Sequence, residues 1–513
     1  MNGSQSKNDG YLSTMGHKHG QTPNILPDNW VWTTIGDVFD FQYGKSLPQK
    51  KRNPKGLIPV FGSNGQVGYH DTCLVQGPGI IIGRKGGAGE VSICFENFWP
   101  IDTTYFINPP IEIDIKFAFY LLKNCGLQKL DTSTAIPGLN RNDAYKINIP
   151  LPPLPEQHRI VAKIEQLFSE LDKGVAELKK AREKLELYRQ SLLKAAFEGR
   201  LTEQWRKEHA DELEPAEELL ARIKTEREKR YQQQVEEWKQ AVKKWEAQGK
   251  PGKKPRKPRK PKELPPLTKE ELAELPELPE GWIYTRLSYL GELSRGKSKH
   301  RPRNDPALFG GAYPFIQTGD VKAKNEITSY SKTYNDFGLR QSKLWPKGTL
   351  CITIAANIAE TAFLGIDACF PDSVVGFTEF QCVVDSKYIY YFINAFREQI
   401  EAYAPATAQK NINLKILEEL IVPYCSQKEQ KRIVRLLENH FSTLDHLTQT
   451  IDQALARADL LRQSILKKAF SGKLVPQDPN DEPASELLKR IKAEREKAEQ
   501  ERKKKNRSRR RSK

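Results

Sequence analysis

Glycine-rich and acidic stretches are the first places in this sequence where catalysis could reside. GRKGGAGE (83–90) has enough glycine to cradle a phosphate, but it lacks the GxxxxGK[ST] spacing that brings a lysine and a hydroxyl to the phosphates. Pro371-Asp372 and Glu379 loosely follow the PD…ExK pattern of a metal-dependent nuclease, but Gln381 stands at the lysine position. Both patterns are incomplete, and we interpret GRKGGAGE as a strand–turn–strand.

A third stretch, NPPI at 108–111, is similar to the [ND]PP[FYW] motif of amino-methyltransferases, whose aromatic residue stacks on a flipped base. Ile111 takes the aromatic position, so a Pro-Pro turn leaving a strand explains the stretch better. No motif for S-adenosylmethionine accompanies it, and the histidines form no HxxxH or HExxH pair. The sequence therefore predicts neither a catalytic centre nor a metal site.

Two basic loops are better candidates, and the chemistry they offer is DNA contact. Each follows a Gly-Lys-Ser tripeptide; lysine and arginine can hold phosphates, and arginine can donate two hydrogen bonds to guanine. The candidate residues are Lys45, Lys50, Lys51 and Arg52 in the first loop and Arg295, Lys297, Lys299, Arg301 and Arg303 in the second. A solvated surface loop is the alternative for each.

Further candidates for DNA contact lie on turns. They are Arg84 and Lys85 on a glycine-flanked tip, Asn140 and Arg141 in the loop 132–143, and Gln409, Lys410 and Asn411 in the matching loop 404–415. A structural turn is the alternative for these residues. Trp30 and Trp282 each follow Leu-Pro, and we expect them to be core anchors rather than rings that stack on bases.

The candidates recur because the chain is one long unit written twice. The matched pairs are LPDNWVWTTIGDVFDFQYGKS (26–46) with LPEGWIYTRLSYLGELSRGKS (278–298), PEQHRIVAKIEQLFSELD (155–172) with KEQKRIVRLLENHFSTLD (428–445), RQSLLKAAFEGRL (189–201) with RQSILKKAFSGKL (462–474), and EPAEELLARIKTEREK (214–229) with EPASELLKRIKAEREK (482–497). The first part of each unit has short β-type runs broken by turn residues, and the second part is helical.

Leucine spacing in the helical parts predicts long helices that pack on each other along a narrow seam. Apolar residues seven apart are typical of a coiled coil, and Gly199 and Gly472 stand where a helix C-cap would fall. The expected seam residues are Leu171, Leu178, Leu185, Leu192, Leu444, Ile451, Leu461 and Ile465. We predict an α+β fold: two similar strand-rich domains separated by two long antiparallel coiled-coil helices, with an internal pseudo-two-fold repeat.

The length of 513 residues and the charge distribution fit this organisation. Basic segments at 250–262 and 502–513 hold eight and nine Lys/Arg and no acid, which accounts for the whole net charge of +17. The rest of the chain is neutral by count, so net charge does not identify a DNA-binding domain. The expected divisions are a disordered segment 1–25, a first domain 26–153, helices 154–230, a basic linker 231–277, a second domain 278–424, helices 425–500 and a basic tail 501–513.

Other features indicate a cytoplasmic protein. The N-terminus has no apolar core of a secretory signal, and no run approaches the ~18 apolar residues of a membrane span. The seven cysteines are scattered and form no CxxC pair, which favours reduced thiols.

The order of a Trp-initiated domain and a PEQHRIV…RQSLLKAAFEGRL or KEQKRIV…RQSILKKAFSGKL helix, present twice over about 26–498, resembles the DNA-specificity (S) subunits of type I restriction–modification enzymes. The resemblance implies two target-recognition domains that read an asymmetric, bipartite double-stranded DNA target. It further implies helices that carry two methyltransferase (M) subunits, with a restriction (R) subunit in the fuller complex. S-adenosylmethionine, Mg²⁺ and ATP would belong to the partners, and the chain would need no cofactor and perform no catalysis.

Two alternatives remain from the residues alone. One is a fused methyltransferase–recognition enzyme, which the incomplete cofactor motifs disfavour. The other is a structural coiled-coil protein that binds nucleic acid without sequence preference through its basic segments, which the two strand-rich domains disfavour. Arg189-Gln190-Ser191 and Arg462-Gln463-Ser464 offer either a partner-facing surface or a structural contact.

Overall fold

A computed structural model describes residues 26–130, 138–258, 260, 266–322, 326–379, 383–403 and 411–511. The expected disordered segment 1–25 lies outside these residues. The chain divides into two compact units, Met1–Lys180 with Ile451–Lys513 (unit 1) and Ala181–Thr450 (unit 2). Both boundaries fall inside a long helix, so each unit is built from parts of both copies of the repeat.

Within the described residues, the strand-rich domain of unit 1 contains nine short strands. They are β1 (Val31–Thr34), β2 (Gln42–Tyr43), β3 (Ile58–Gly62), β4 (Gly65–His70), β5 (Gly79–Gly83), β6 (Val91–Cys94), β7 (Trp99–Pro100), β8 (Thr104–Ile107) and β9 (Asn148–Leu151). Three helices accompany them: α1 (Ile35–Val38), α2 (Ile115–Asn124) and α3 (Arg141–Tyr145). The sheets have strand orders β2-β8-β5-β6 and β4-β3-β7, and β1 pairs with β9 where the domain begins and ends.

The strand-rich domain of unit 2 repeats this plan, with eleven strands in the part of it that the structure describes. They are β10 (Ile283–Arg286), β11 (Gly291–Arg295), β12 (Phe309–Phe315), β13 (Glu326–Ile327), β14 (Lys332–Tyr334), β15 (Leu344–Trp345), β16 (Leu350–Thr353), β17 (Thr361–Leu364), β18 (Ala368–Cys369), β19 (Val374–Glu379) and β20 (Ile421–Tyr424). Its helices are α8 (Leu287–Leu290), α9 (Asp336–Arg340), α10 (Ser386–Ala395), α11 (Arg397–Ala402) and α12 (Leu414–Glu419). The sheets are β11-β19-β16-β17-β13, β14-β12-β18-β15 and the pair β10-β20.

The predicted strand–turn–strand stretches are antiparallel hairpins. β5 pairs with β6 around GRKGGAGE, and β16 pairs with β17 around the matching turn. β5 (GIIIG) is buried along its whole length because side chains of its alternate faces enter different clusters. Ile80 and Ile82 join the core against the helices, whereas Ile81 packs between the two sheets.

Two long helices of 44 residues each, α4 (Leu154–Phe197) and α13 (Gln427–Phe470), begin directly after the domains. Gly199 and Gly472 follow their ends at φ of +72° and +69°, as predicted for helix caps. A Cβ at Gly199 would collide with the ring of Pro279, and one at Gly472 with the ring of Pro27. In each unit, therefore, a long helix ends against the Leu-Pro that opens the strand-rich domain.

The helix segments within unit 1 run antiparallel. Arg159, near the start of α4, pairs with Asp481 beyond the end of α13 at 2.6 Å, and Asp172, further along α4, pairs with Arg462. Unit 2 contains the equivalent contact between Arg189 Nη2 and Asp445 Oδ1 at 2.5 Å. The α+β class with paired long helices is as predicted from the sequence.

Most of the expected seam residues are at least partly buried. Leu192, Leu444 and Ile465 are core residues, Leu171 and Leu185 pack against the cores, and Leu178 and Ile451 are half-buried. Leu461 differs from the expectation because 49% of its surface is exposed. The row of sevens continues from 451 to 465 through Ala458, which is 8% exposed. Leu461 lies beside that row, one position before the seam residue Arg462.

The remaining helices are α5 (Glu203–Glu208), α6 (Ala216–Ala247), α7 (Lys269–Ala273) and α14 (Ala484–Arg511). α6 continues well beyond 230, where the linker was expected to begin, so much of 231–277 is helical. α14 likewise runs through 501, the expected start of the basic tail. Among the described residues, no helix combines the length and apolar character required to cross a membrane.

Candidate nucleic-acid interface

The stretch NPPI is a structural turn. Asn108 follows β8, and its side-chain amide donates hydrogen bonds to the carbonyl oxygens of Gln76 at 3.1 Å and Pro78 at 3.0 Å. Ile111 is 88% exposed and has no aromatic ring on which a flipped base could stack. The Pro-Pro turn leaving a strand is therefore the better interpretation, as the sequence indicated.

The nuclease-like carboxylates lie at opposite ends of β19. Asp372 comes just before the strand and Glu379 ends it, so at about 3.3 Å per residue they stand roughly 20 Å apart. Asp372 pairs with Arg303 at 2.8 Å, and burial raises the pKa of Glu379. Within the described ranges, no three His, Cys, Asp or Glu residues gather into a metal-binding group.

The Gly-Lys-Ser tripeptides follow β2 and β11 and pass close to neighbouring backbone. A Cβ at Gly44 would collide with the carbonyl oxygen of Ile101, and one at Gly296 with that of Phe370. Glycine is required by this close approach, and the lysine that follows it is exposed in both domains. The repeated tripeptide thus places a basic residue on the surface at the same point of each domain.

In the first domain, three side chains from separate elements form a cationic and aromatic surface, which we call the Tyr43 cluster. Tyr43 at the end of β2 is 52% exposed, and its ring centroid lies 5.1 Å from Arg84 Cζ and 5.3 Å from Arg141 Cζ. Each guanidinium donates one hydrogen bond to a backbone carbonyl at 3.2 Å. Because a guanidinium has five N–H donors, both retain donors that can face a ligand.

Two other predicted residues lie beside this cluster. Lys85 is exposed, and its backbone bridges to Gly138. Asn140 caps α3, since its side-chain oxygen accepts the N–H of Asn142 at 2.8 Å. The amide of Asn140 is therefore partly committed to the helix end, whereas the ammonium group of Lys85 is not.

The basic loop 45–55 contains one structural residue and several exposed cations. Arg52 donates to the carbonyl oxygens of Leu47 at 3.2 Å and Val67 at 3.1 Å, which ties the loop to β4. The side chains of Lys45, Lys50 and Lys51 are exposed. We therefore keep these lysines as contact candidates and assign Arg52 to holding the loop.

The corresponding loop of the second domain is partly neutralised from within. Arg303 pairs with Asp372, and Arg295 Nε donates to the carbonyl oxygen of the same residue at 2.9 Å. Arg301 donates to the carbonyl oxygens of Ser298 at 2.6 Å and His300 at 2.8 Å. Lys297 and Lys299 are exposed along the same segment.

Both domains join the hairpin tip to the following loop in the same way. Leu139 N donates to Arg84 O and Ile412 N donates to Ile354 O, each at 2.9 Å. Asn411 is exposed and bridges to Ala355, as Gly138 does to Lys85. The predicted residues Gln409 and Lys410 lie outside the described residues.

The equivalent backbone positions of the two domains carry different side chains. Arg84 of the first domain corresponds to Ile354 of the second, which is 1% exposed, and Tyr43 corresponds to Arg295. The backbone positions are therefore equivalent while the chemistry offered to a ligand differs between the domains.

The paired tryptophans are core anchors, as predicted. Trp30 is 7% exposed and donates its indole N–H to Glu156 Oε2 at 2.9 Å; Trp282 is 6% exposed and donates to Glu429 Oε2 at 2.8 Å. These glutamates open the long helices. The Glu-Gln of each helix motif therefore fixes the domain to its helix.

The arginines of the two Arg-Gln-Ser strings make contacts within the protein, whereas Gln190, Ser191 and Gln463 are exposed. Arg189 contacts Asp445 and lies 4.5 Å over the ring of Phe441, and Arg462 lies 5.0 Å over Phe168. An exposed apolar pair precedes each string at matched positions. The pairs are Leu187 (65%) with Tyr188 (47%) and Leu460 (62%) with Leu461 (49%).

Tyr43, Leu187, Tyr188 and Leu460 were not among the predicted site residues, and Leu461 was predicted to lie in the helix seam. Tyr43 could have been found because it stands where the two copies differ beside an otherwise shared Gly-Lys-Ser. The apolar pairs could have been found because both copies place them off the seven-residue row.

The similarity to known proteins includes both copies of the repeat. A family model described as "Type I restriction modification DNA specificity domain" matches residues 27–180 and 279–457. The chain is similar to the type I restriction enzyme EcoDI specificity subunit of Escherichia coli, with 25% identity over 493 residues, 92% of this chain and 96% of that protein. It is also 24% identical to the EcoKI specificity subunit of E. coli strain K12 over 373 residues, 68% of this chain and 64% of that protein.

Similarity is higher over a short stretch of another relative. The EcoAI specificity subunit of E. coli is 49% identical over 67 residues, 13% of this chain and 11% of that protein. Among solved structures, a chain from a study titled "Structural basis underlying complex assembly and conformational transition of the type I R-M system" has a TM-score of 0.61 at 18% identity. The alignment covers 88% of this chain and all of that one, which shows a shared fold.

Proposed function

We infer the function from one premise: the chain belongs to the family of type I restriction–modification DNA specificity subunits. A specificity subunit supplies DNA target recognition to a multisubunit enzyme. We propose that this chain reads an asymmetric, bipartite double-stranded DNA sequence and directs methyltransferase and restriction subunits to it.

The proposal of a bipartite target rests on backbone arrangements that are equivalent in the two domains but carry different side chains. The hairpin tips at Arg84 and Ile354 are joined to the following loops by the same backbone hydrogen bond. Phosphate contacts orient a protein on the duplex, whereas side-chain contacts to base edges read the sequence. Two domains with the same backbone arrangement and different side chains therefore suit two different half-sites.

For the first half-site, the Tyr43 cluster together with Lys45 and Lys85 is the proposed contact surface. For the second, the exposed Lys297 and Lys299 offer phosphate contacts, and Asn411 offers an amide at the position of Gly138. Arg295 and Arg301 retain guanidinium N–H donors beyond their internal hydrogen bonds and offer them to DNA, whereas the charge of Arg303 is already paired with Asp372.

Two methyltransferase subunits are the proposed partners of the helices. The apolar pairs Leu187-Tyr188 and Leu460-Leu461 present the same exposed chemistry at matched positions of α4 and α13. Exposed apolar surface that recurs twice in one chain fits two copies of one partner. S-adenosylmethionine, Mg²⁺ and ATP would then be bound by the partner subunits.

Mapping methylated bases in cells with and without this chain, each with its M partner, tests the proposal. Methylation at one asymmetric bipartite sequence, present only with both proteins, is expected. Methyl transfer by the purified chain alone would support a fused enzyme instead. Binding to DNA without any preferred sequence would support the structural coiled-coil alternative.

A further inference from the structure

The segment that follows α6 folds back on this helix and does not extend into solvent. The chain reverses direction after Gln248, with positive φ at Gly249, Lys250 and Gly252. The indole N–H of Trp245 then donates to the carbonyl oxygen of Pro251 at 3.0 Å. We call residues 250–258 the clasped segment.

A second tryptophan holds the clasped segment further back along α6. The indole N–H of Trp238 donates to the carbonyl oxygen of Pro255 at 3.0 Å. The two tryptophans are seven residues apart, two turns of helix on one face and about 10 Å at 1.5 Å per residue. The four residues from Pro251 to Pro255 can span at most about 14 Å when extended, so the segment is long enough to reach both indoles.

The clasped segment has a three-residue periodicity in its burial. Pro255 and Pro258 are half-buried, whereas Lys253, Lys254, Arg256 and Lys257 are exposed. A polyproline helix has three residues per turn, so one side faces the tryptophans and the other two carry cations. Lys253 with Arg256 form one row, and Lys254 with Lys257 form the other.

These cations are free of acidic partners. In the part of the chain that the structure describes, none of Lys250, Lys253, Lys254, Arg256 and Lys257 makes an ion pair, although Lys257 Nζ lies 5.8 Å over the ring of Trp238. No acid occurs between 247 and 262. Five cations within eight residues are thus held extended on a folded surface.

We propose that the clasped segment is a further DNA-binding site, one that holds the phosphate backbone of duplex DNA without reading its sequence. Lysine binds phosphate as a point charge, and proline supplies no N–H that could reach a base edge. The clasp keeps the cations apart before binding, which lowers the entropy that ordering would otherwise cost. The proposal rests on the chain's role as a DNA specificity subunit.

The test uses the full chain assembled with its M partner and measures DNA affinity across a series of salt concentrations. Duplexes of equal length, with and without the methylated target, are compared for the wild type and for K253Q/K254Q/R256Q/K257Q. Each phosphate contact contributes about 0.9 to the slope of log K against log salt, so the slope should fall by roughly two to four. Affinity should fall about equally for both duplexes, by at least tenfold at low salt.

A matched control removes four cations that are already paired. The variant K180Q/K207Q/K387Q/K489Q loses the same charge, but each of these lysines contacts a carboxylate at 2.6–2.9 Å. Its salt slope should remain that of the wild type. A further variant, W238A/W245A, keeps every cation and should bind both duplexes severalfold more weakly, because the segment must then be ordered on binding.

An unchanged salt slope in the quadruple variant would overturn the proposal. A changed ratio between target and non-target affinity would show base reading and overturn the sequence-independent role. Loss of the M partner with a normal slope would assign the segment to a protein contact instead. If the wild-type complex itself showed no target preference, the proposed function would fail, whatever the clasped segment does.

Discussion

Glu429 accepts hydrogen bonds from Trp282 and from Arg206, whose Nη1 lies 2.9 Å from Glu429 Oε1. Thr202 donates to the same oxygen at 2.7 Å, and the carboxylate is 1% exposed. Its counterpart Glu156 accepts hydrogen bonds from Trp30 and from the side-chain amide of Gln477, and among the described residues it makes no ion pair. The same anchor is therefore a buried ion pair in unit 2 and a neutral-donor site in unit 1.

We expect Glu429→Gln to destabilise the protein by about 3 kcal/mol, because it leaves the guanidinium of Arg206 facing an amide. A guanidinium has only N–H donors, so Arg206 cannot accept a hydrogen bond from the amide N–H of glutamine. Glu156→Gln should be tolerated, because the amide of Gln477 can flip to present its oxygen. Chemical denaturation of both variants checks this difference, and equal losses would contradict it.

The pH dependence of unfolding should reveal the titration of Glu156. Burial raises the pKa of Glu156, against the hydrogen bonds from Trp30 and Gln477 that lower it. A raised carboxyl pKa contributes stability that is fully present below the ordinary glutamate value and is lost as pH rises through the folded-state value. Relative to the wild type, Glu156→Gln should therefore gain stability as the pH rises from the ordinary glutamate value through the higher folded-state value. A constant difference across that range would exclude the titration.

Exchange of one domain should change one half of the target. β1 and β9 pair where the first domain begins and ends, so residues 26–152 enter and leave at neighbouring points. Replacing them with the equivalent domain of a relative should change the half-site that this domain reads and keep the other. Methylated-base mapping provides the readout, and a simultaneous change of both halves would argue against independent reading.

Tyr43→Ala should weaken binding to the target duplex about tenfold and relax specificity in one half-site only. The exposed ring centroid lies 5.1 Å from Arg84 Cζ and 5.3 Å from Arg141 Cζ, so the substitution removes the aromatic contact of both guanidinium groups. Phe95→Ala is a suitable control, since Phe95 is an exposed aromatic of the same domain whose nearby Lys116 pairs with Glu165. Equal effects of both substitutions would mean that the domain is destabilised in general.

Removal of one apolar pair should cost one methyltransferase subunit. L187A/Y188A and L460A/L461A should each reduce the M content of the complex from two to one, and the combined variant should bind none. Native mass spectrometry measures the stoichiometry directly. Leu447→Ala is the control, because Leu447 is 44% exposed but its matched position is Gly174. Two M subunits retained by the combined variant would place the docking surface elsewhere.

The helices and anchors were predictable from sequence because their signals are local or repeated. Gly199 and Gly472 mark the helix ends, and Leu-Pro-x-x-Trp opens each domain. Leu461 was wrongly predicted to lie in the seam, because a large apolar residue was preferred over Ala458. The small side chain of Ala458 suits the seam equally well. The internal bonds of Arg303 could not be predicted, because Asp372 is distant in sequence and meets it only through the sheet. The presence of Trp238 and Trp245 in the sequence did not predict that the basic segment folds back on α6.

The division of the chain into a continuous and a discontinuous unit has a consequence for its biosynthesis. Unit 2, Ala181–Thr450, is one uninterrupted stretch, so all of its contacts are available once residue 450 has emerged from the ribosome. Unit 1 needs residues that are made last: Phe470 packs on Phe117 at 5.7 Å, and Arg495 bonds the carbonyl of Gly36 across 459 residues. The domain that is synthesised first therefore completes its core last, and its apolar surface stays uncovered for the longest time during synthesis.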